Sequence, residues 1–209
     1  MKTFNRFVKE DKTKGAVFSF GRFNPPTVGH AKLVDKLTNS TGGGYVPLIY
    51  MSHSQDAKKN PLDFGTKQKF MNLFFGRKVG VMNSNARQVF EIVTDLYTQG
   101  YTKIRMVVGS DRVKEFEMLL KKYNGVKARH GYYKFDDIQI VSAGERDPDS
   151  DDVSGMSASK LRALAEQGDF EAFSKGVPTR NKKDIETLKA LGYTNFEISK
   201  SLMVFSLSI

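Results

Sequence analysis

Apolar residues along this chain follow two rhythms. Short unbroken apolar runs alternate with longer stretches in which apolar positions recur every three or four residues. The first rhythm marks buried strands and the second amphipathic helices. Ala16-Val17-Phe18-Ser19-Phe20 predicts a strand over 15–20 that stops at Gly21. A loop with Pro25 and Pro26 follows. From Val28 a helix buries Ala31, Leu33, Val34 and Leu37, then stops near Asn39 and the Gly42-Gly43-Gly44 turn. Tyr45–Met51 reads as a second buried strand, with Pro47 pointing to an edge position. A helix is expected from about Phe64 to Phe75. Ser84 or Asn85 is expected to cap another, whose stripe Val89, Ile92, Val93, Leu96 and Tyr97 ends at Gly100, a natural C′ residue. Strand Thr102–Val108, a helix over 112–123 (Val113, Phe116, Leu119 and Leu120 inward) and strand 138–141 continue the series. A helix opening at Ser157 and a short one over 169–173 close it. Strand and helix alternate throughout, so the expected fold class is α/β, a mostly parallel sheet with helices on both faces.

Organisation along the chain is simple. Residues 1–14 read as a polar, basic lead-in, 15–176 as one domain, and 177–209 as an extension packing on that domain or on a neighbouring subunit. Within the extension, 184–191 has helical spacing, whereas 194–209 fits helix and strand alike. There is no internal repeat or low-complexity tract.

Composition narrows the picture. The 209 residues, 39% hydrophobic, suffice for one sizeable core. The absence of cysteine excludes disulfides and thiolate metal sites, and it fits a reducing compartment such as the cytoplasm. The opening residues hold no long apolar run, so neither a signal peptide nor a membrane span is expected. The net charge of +10 suits anionic partners, whether nucleotides, nucleic acid or acidic surfaces, and suits a plainly solvated basic surface equally well. The segment Tyr123–Asp137 mixes cations with aromatics; the reading preferred is a loop over the substrate pocket, the alternative a nucleic-acid surface. Gly144–Ser154 is rich in carboxylates but has no defined ligand spacing, so a mobile acidic loop is expected rather than a Mg²⁺ site.

Candidate chemistry gathers where strands end and helices begin. Ligands of open α/β sheets occupy the crevice beyond the carboxyl ends of the strands. Three stretches fall there. Gly21-Arg22-Phe23-Asn24-Pro25-Pro26-Thr27-Val28-Gly29-His30 leads from strand into helix, with Thr27 at the N-cap and His30 in the first turn. Gly109-Ser110-Asp111 closes a later strand, with Asp111 either a cap or a ligand contact. Met156-Ser157-Ala158-Ser159-Lys160-Leu161-Arg162 opens another helix, whose serines and Arg162 can serve one anion.

The first and third stretches, in this order, resemble the two signatures of the nucleotidylyltransferase superfamily, GxFxPxHxGH (here in its TxGH form) and (I/M)SxSxxR. The resemblance covers about residues 15–165. It implies a Rossmann-like nucleotidylyltransferase fold. It also implies an enzyme that transfers a nucleotidyl group from a nucleoside triphosphate to a small phosphorylated acceptor and releases pyrophosphate. The catalytic residues implied are His30, Thr27 and Arg162. Gly21, Arg22, Phe23, Asn24, Gly29, Met156, Ser157 and Ser159 are implied to surround the nucleotide and its phosphates, and Gly109 and Asp111 to lie by ribose or acceptor. The loop Ser52–Pro61 resembles that of archaeal nicotinamide mononucleotide adenylyltransferases. This adds Ser54, Gln55, Asn60 and Lys67 as acceptor contacts, with Lys67 where an arginine is usual. Mg²⁺ is implied as cofactor, held mainly through phosphates, with no protein metal ligand.

The acceptor favoured on this resemblance is nicotinamide mononucleotide with ATP, giving NAD. Cytidylyl transfer from CTP to a polyol or sugar phosphate is the alternative. A reading of another class is a basic nucleotide- or RNA-binding module with reduced catalysis. A homo-oligomer suits the superfamily, and a virus-encoded enzyme acting in host cytoplasm fits as well as a cellular one.

Overall fold

The computed structural model of the chain describes residues 14–56, 59–144, 156–179 and 181. Five strands form one fully parallel sheet in the order β3-β2-β1-β4-β5. They are β1 (Gly15–Gly21), β2 (Tyr45–Met51), β3 (Gly80–Val81), β4 (Lys103–Val108) and β5 (Asp137–Ser142). Six helices join or follow them: α1 (Val28–Asn39), α2 (Phe64–Phe75), α3 (Val89–Thr98), α4 (Val113–Lys122), α5 (Ala158–Gln167) and α6 (Phe170–Gly176). The expected α/β class is the observed one.

Alternation along the strands builds two cores. Ala16, Phe18, Leu48 and Tyr50 face one way, against Val89, Ile92, Val93 and Leu96 of α3 and Leu120 of α4. Val17, Ile49, Met51 and Val107 face the other, against Val34 and Leu37 of α1 and Met71 and Phe75 of α2. Each buried aliphatic or aromatic side chain contributes about 1.5–3 kcal/mol. A third cluster (Leu62, Phe70, Leu161, Phe173 and Val177) fastens α5 and α6 to α2.

Chain order decides where the crevice lies. The chain runs outward from β1 through β2 to β3, then crosses back to β4 on the other side of β1. The connections from β1 and β4 therefore diverge, and the gap beyond Gly21 and Gly109 is the topological switch point.

Several expectations change. Pro47 sits in a strand with neighbours on both sides, but β3 pairs only Leu48 and Ile49, so β2 is still an edge at Pro47. That two-residue β3 is too short to carry any alternation. The N-cap of α3 is Gln88 rather than Ser84 or Asn85. Ser84 Oγ instead accepts from the Ala86 amide, and the Glu91 carboxylate accepts from the Arg87 amide.

The basic aromatic segment is also relocated. It links α4 to the start of β5, at the amino ends of the strands, so it does not cover the crevice. Its aromatics serve the core: Tyr123, His130 and Tyr133 gather around Phe90, with His130 stacked on that ring at 4.1 Å. The lead-in 1–13, the acidic residues 145–155 and the extension beyond 181 lie outside the described residues.

Candidate active site

The loop after β1 is shaped by one close approach. A Cβ on Gly21 would lie 2.9 Å from the Phe23 ring, so only glycine lets that ring fold back. Phe23 itself has φ of 45°, in the left-handed region that costs a non-glycine residue about 1 kcal/mol or more. Its ring is buried and lies 4.8 Å from the His30 imidazole. Strain at a strand–helix junction is commonly retained where a site needs a particular backbone path.

Thr27 is the N-cap of α1, as expected, and His30 is the third helical residue. The imidazole reaches back, and the Thr27 amide donates to Nδ1 at 2.9 Å. This is the reach that a glutamate makes in a capping box. An amide N–H can only donate, so Nδ1 is the acceptor and the ring proton of the neutral imidazole sits on Nε2. The Thr27 hydroxyl lies 3.1 Å from the same Nδ1, and the residue is 1% exposed. Thr27 was expected to present its hydroxyl to a phosphate; its position makes it a support for His30.

Asn24 is likewise occupied within the fold. It is 1% exposed, and its amide donates to the Leu62 carbonyl at 3.0 Å while its oxygen accepts from the Leu62 amide at 3.1 Å. The Asn24–Pro25 peptide is cis. Arg22 is exposed, and Gly29 lies in the first turn of α1, where main-chain N–H groups lack helical acceptors.

The second motif meets the first. Ser157 caps α5, its Oγ accepting from the Lys160 amide at 3.1 Å. Arg162 folds back along the helix, donating through Nη2 to Ser159 Oγ at 3.2 Å and through Nη1 to the Asn24 carbonyl at 2.6 Å. Burial, and then the neighbouring charge of Arg22, push the Arg162 pKa below its ordinary value; Glu166 and Asp56 oppose the shift. Two guanidiniums are thus held together at the crevice, an arrangement that an anion would relieve. Met156 faces elsewhere: it packs in the α5–α6 cluster, and a Cβ on Gly176 would lie 2.7 Å from its Cγ.

Beyond β4, Gly109 starts a 3-10 turn over Ser110–Arg112 and Arg112 caps α4. Asp111 therefore caps neither helix. It is exposed, and a Cβ on Gly109 would come within 2.6 Å of its Oδ1, so the carboxylate leans over the strand end.

On the β2 side, Ser54 and Gln55 are exposed in the loop. Asn60 is buried; its amide donates to Asp56 Oδ2 at 2.5 Å, and the two residues form an antiparallel bridge. Lys67 is 0% exposed. Its Nζ donates to the carbonyls of Ser52 at 2.5 Å and Ser54 at 3.3 Å. Burial lowers its pKa, and Asp63 partly offsets the shift. Lys67 and Asn60 were expected to contact an acceptor; the structure uses both to hold the loop. His53 escaped the sequence reading. Its ring stacks on Phe64 at 4.2 Å, nearly parallel, and its Nε2 donates to the Ser84 carbonyl at 2.7 Å. Its place beside Ser54-Gln55 was the available signal.

Among the described residues no cluster of three His, Asp or Glu groups is placed to hold a metal, and no helix is long and apolar enough to cross a membrane. The crevice presents guanidiniums, hydroxyls and amide N–H groups, which are donors for phosphate oxygens.

The fold is similar to that of solved mononucleotide adenylyltransferase structures. A Plasmodium falciparum nicotinic acid mononucleotide adenylyltransferase complexed with NaAD superposes with a TM-score of 0.58 at 14% identity, covering 87% of this chain and 98% of that one. The same Plasmodium enzyme complexed with APC gives 0.57, also at 14% identity, with 87% and 98% covered. A Vibrio parahaemolyticus protein provisionally named a nicotinate-nucleotide adenylyltransferase gives 0.51 at 16% identity, with 84% and 98% covered. No protein-family model and no curated protein sequence matches the chain.

Proposed function

We propose that this chain is an adenylyltransferase that moves AMP from ATP to a pyridine mononucleotide, forming the dinucleotide and releasing pyrophosphate. The observation that carries the reading is the meeting of the two motifs, Arg162 of one donating to Asn24 of the other across 138 residues. The meeting sets a guanidinium and the Ser157 and Ser159 hydroxyls at the junction that holds His30. The fold's likeness to enzymes named for nicotinic acid mononucleotide supports the pyridine acceptor, and it sets the nicotinate form beside the nicotinamide form.

In this reaction an acceptor phosphate oxygen attacks the α-phosphorus of ATP in line. The new O–P bond forms as the bond to the β-phosphate breaks, and no covalent enzyme intermediate is needed. Catalysis is then positioning and charge stabilisation. His30 Nε2–H donates to an α-phosphate oxygen as charge gathers there, while the Thr27 amide keeps that proton on Nε2. The first-turn amides of α1, including that of Gly29, add the positive end of the helix. Arg162, Ser157, Ser159 and Arg22 hold the leaving pyrophosphate. Asp111 accepts from a ribose hydroxyl, and Ser54 and Gln55 meet the acceptor. Mg²⁺, when bound, would be held through the triphosphate and would neutralise part of its charge; the donor-rich crevice fits a metal carried by phosphates rather than by side chains.

The test is incubation of the full chain with Mg²⁺ and ATP or CTP, each paired with nicotinamide mononucleotide or nicotinic acid mononucleotide, and product mass as readout. A dinucleotide formed from ATP, and absent when either substrate is omitted, supports the reading. Turnover of CTP alone, or of neither nucleotide, overturns it.

A further inference from the structure

Asn24 belongs to a motif expected to touch nucleotide, yet its side chain faces the protein. Both amide atoms bind the main chain of one residue, Leu62, as a strand partner would. Its own carbonyl receives the Arg162 guanidinium. Three segments therefore meet on one buried residue: the β1–α1 loop, the turn that leads into α2, and α5. Leu62 also shares an apolar cluster with Leu161, the residue before Arg162, so the junction is shielded from water. On the far side, Leu62 is two residues from Asn60, which closes the β2–α2 loop on Asp56.

We infer that Asn24 is a positioning residue that couples anion binding at Arg162 to the setting of the β2–α2 loop. The inference rests on the proposed phosphate role of Arg162. An anion on the guanidinium fixes the direction from which Nη1 meets the Asn24 carbonyl. That carbonyl and the side chain branch from the same Cα, so a shift of the main chain there carries the side chain, which holds Leu62 by two bonds. A triphosphate bound at α5 thereby tightens the segment that presents Ser54 and Gln55, which lie 30 and 31 residues along the chain from Asn24. Arg162 needs no new contact for this, because its five N–H donors allow it to keep Asn24 and Ser159 while gripping phosphate.

Hydrogen–deuterium exchange on the full chain tests this, with inorganic triphosphate as the probe so that the acceptor's identity does not enter. In the parent protein, the probe should slow exchange at the amides of residues 52–56, 59, 60 and 62 by about fivefold, the low end of ordinary coupling between sites. In Asn24→Ala the probe should still bind, by calorimetry, but exchange at 52–56 should no longer respond. Asn24→Asp, which keeps the acceptor for the Leu62 amide and puts a carboxylate oxygen in place of the donor, should give an intermediate response and covers the case in which the alanine variant does not fold. A response that persists undiminished in both variants, or parent protein that binds the probe with no change at 52–62, overturns the inference. Triphosphate that does not bind the parent at all removes the phosphate role of Arg162, and the coupling with it.

Discussion

The guanidinium of Arg162 and the main-chain carbonyl of Asn24 meet at 2.6 Å, although 138 residues separate them in the chain. The contact joins two short motifs into one crevice. It also orients a planar fork whose remaining N–H groups point at whatever anion lies there. Lysine supplies the charge but not the fork. Arg162→Lys should therefore raise the KM for the nucleoside triphosphate by roughly 10- to 100-fold, the loss of one charge-assisted hydrogen bond, with little change in the acceptor's KM. Steady-state kinetics with each substrate varied in turn would check this; an unchanged triphosphate KM would contradict it.

His30 and Thr27 make a paired prediction. His30→Ala removes the donor proposed for the α-phosphate and should lower kcat on the order of 10²- to 10³-fold. Thr27→Val removes only the hydroxyl 3.1 Å from Nδ1, while the amide that donates to Nδ1 remains. Its cost should fall on stability, ~1 kcal/mol for the lost cap, with kcat within about threefold of the parent. Chemical denaturation and turnover measured on the same preparations separate the two. A Thr27→Val loss as deep as that of His30→Ala would mean that the hydroxyl meets substrate.

Lys67 distinguishes a loop tie from a ligand. It is fully buried, with Nζ on the Ser52 and Ser54 carbonyls. Lys67→Met leaves those acceptors unmet, about 1–3 kcal/mol for a buried group, and loosens the loop that carries Ser54 and Gln55. The acceptor's KM should rise about tenfold and the triphosphate's should stay within about twofold. Lys67→Arg should do equal harm, because the larger head overpacks an enclosed site. Improved acceptor binding in Lys67→Arg would show instead that Lys67 grips the acceptor's phosphate.

Much of this arrangement is legible before folding is considered. The α3 stripe, the Gly100 stop and the strand–loop–helix around Gly21 follow from periodicity and turn chemistry, and the structure keeps them. What periodicity cannot carry is partnership. Gly80–Val81 is too short to alternate, so β3 exists only because β2 offers an edge. The aromatics of 123–135 read in sequence as a loop over the substrate pocket, with a nucleic-acid surface as the alternative; in space Tyr123, His130 and Tyr133 gather around Phe90. At the crevice the motifs mark the strand–helix junctions but not the direction of each side chain. Asn24 and Lys67 turn inward onto main-chain groups of the loops, and Asn60 turns inward onto the Asp56 carboxylate.

Asp63 gives a pH-dependent prediction. It caps α2, and its carboxylate accepts from the Thr66 amide at 2.8 Å. That bond, the largest cause, holds its pKa below the ordinary carboxylate value of 3.8. A lowered folded value means that the native state binds fewer protons than the unfolded chain across that interval. The cap's contribution is therefore complete above about pH 4 and is lost as pH falls through the folded value. Asp63→Ala should cost about 1 kcal/mol at pH 7, and the difference from the parent should shrink toward zero as pH falls below 3.8. Urea unfolding of both proteins across pH 2.5–7 reads this directly; a pH-independent difference would contradict the cap.

The proposed reaction transfers the α-phosphate, with its adenosine, to a pyridine mononucleotide. ATP labelled at the α-phosphate follows it most directly, with the full chain, Mg²⁺ and nicotinamide or nicotinic acid mononucleotide. Label should move into a dinucleotide as pyrophosphate appears one for one, and His30→Ala should slow both together. Label that stays in ATP with either mononucleotide, or pyrophosphate released without label transfer, would contradict it.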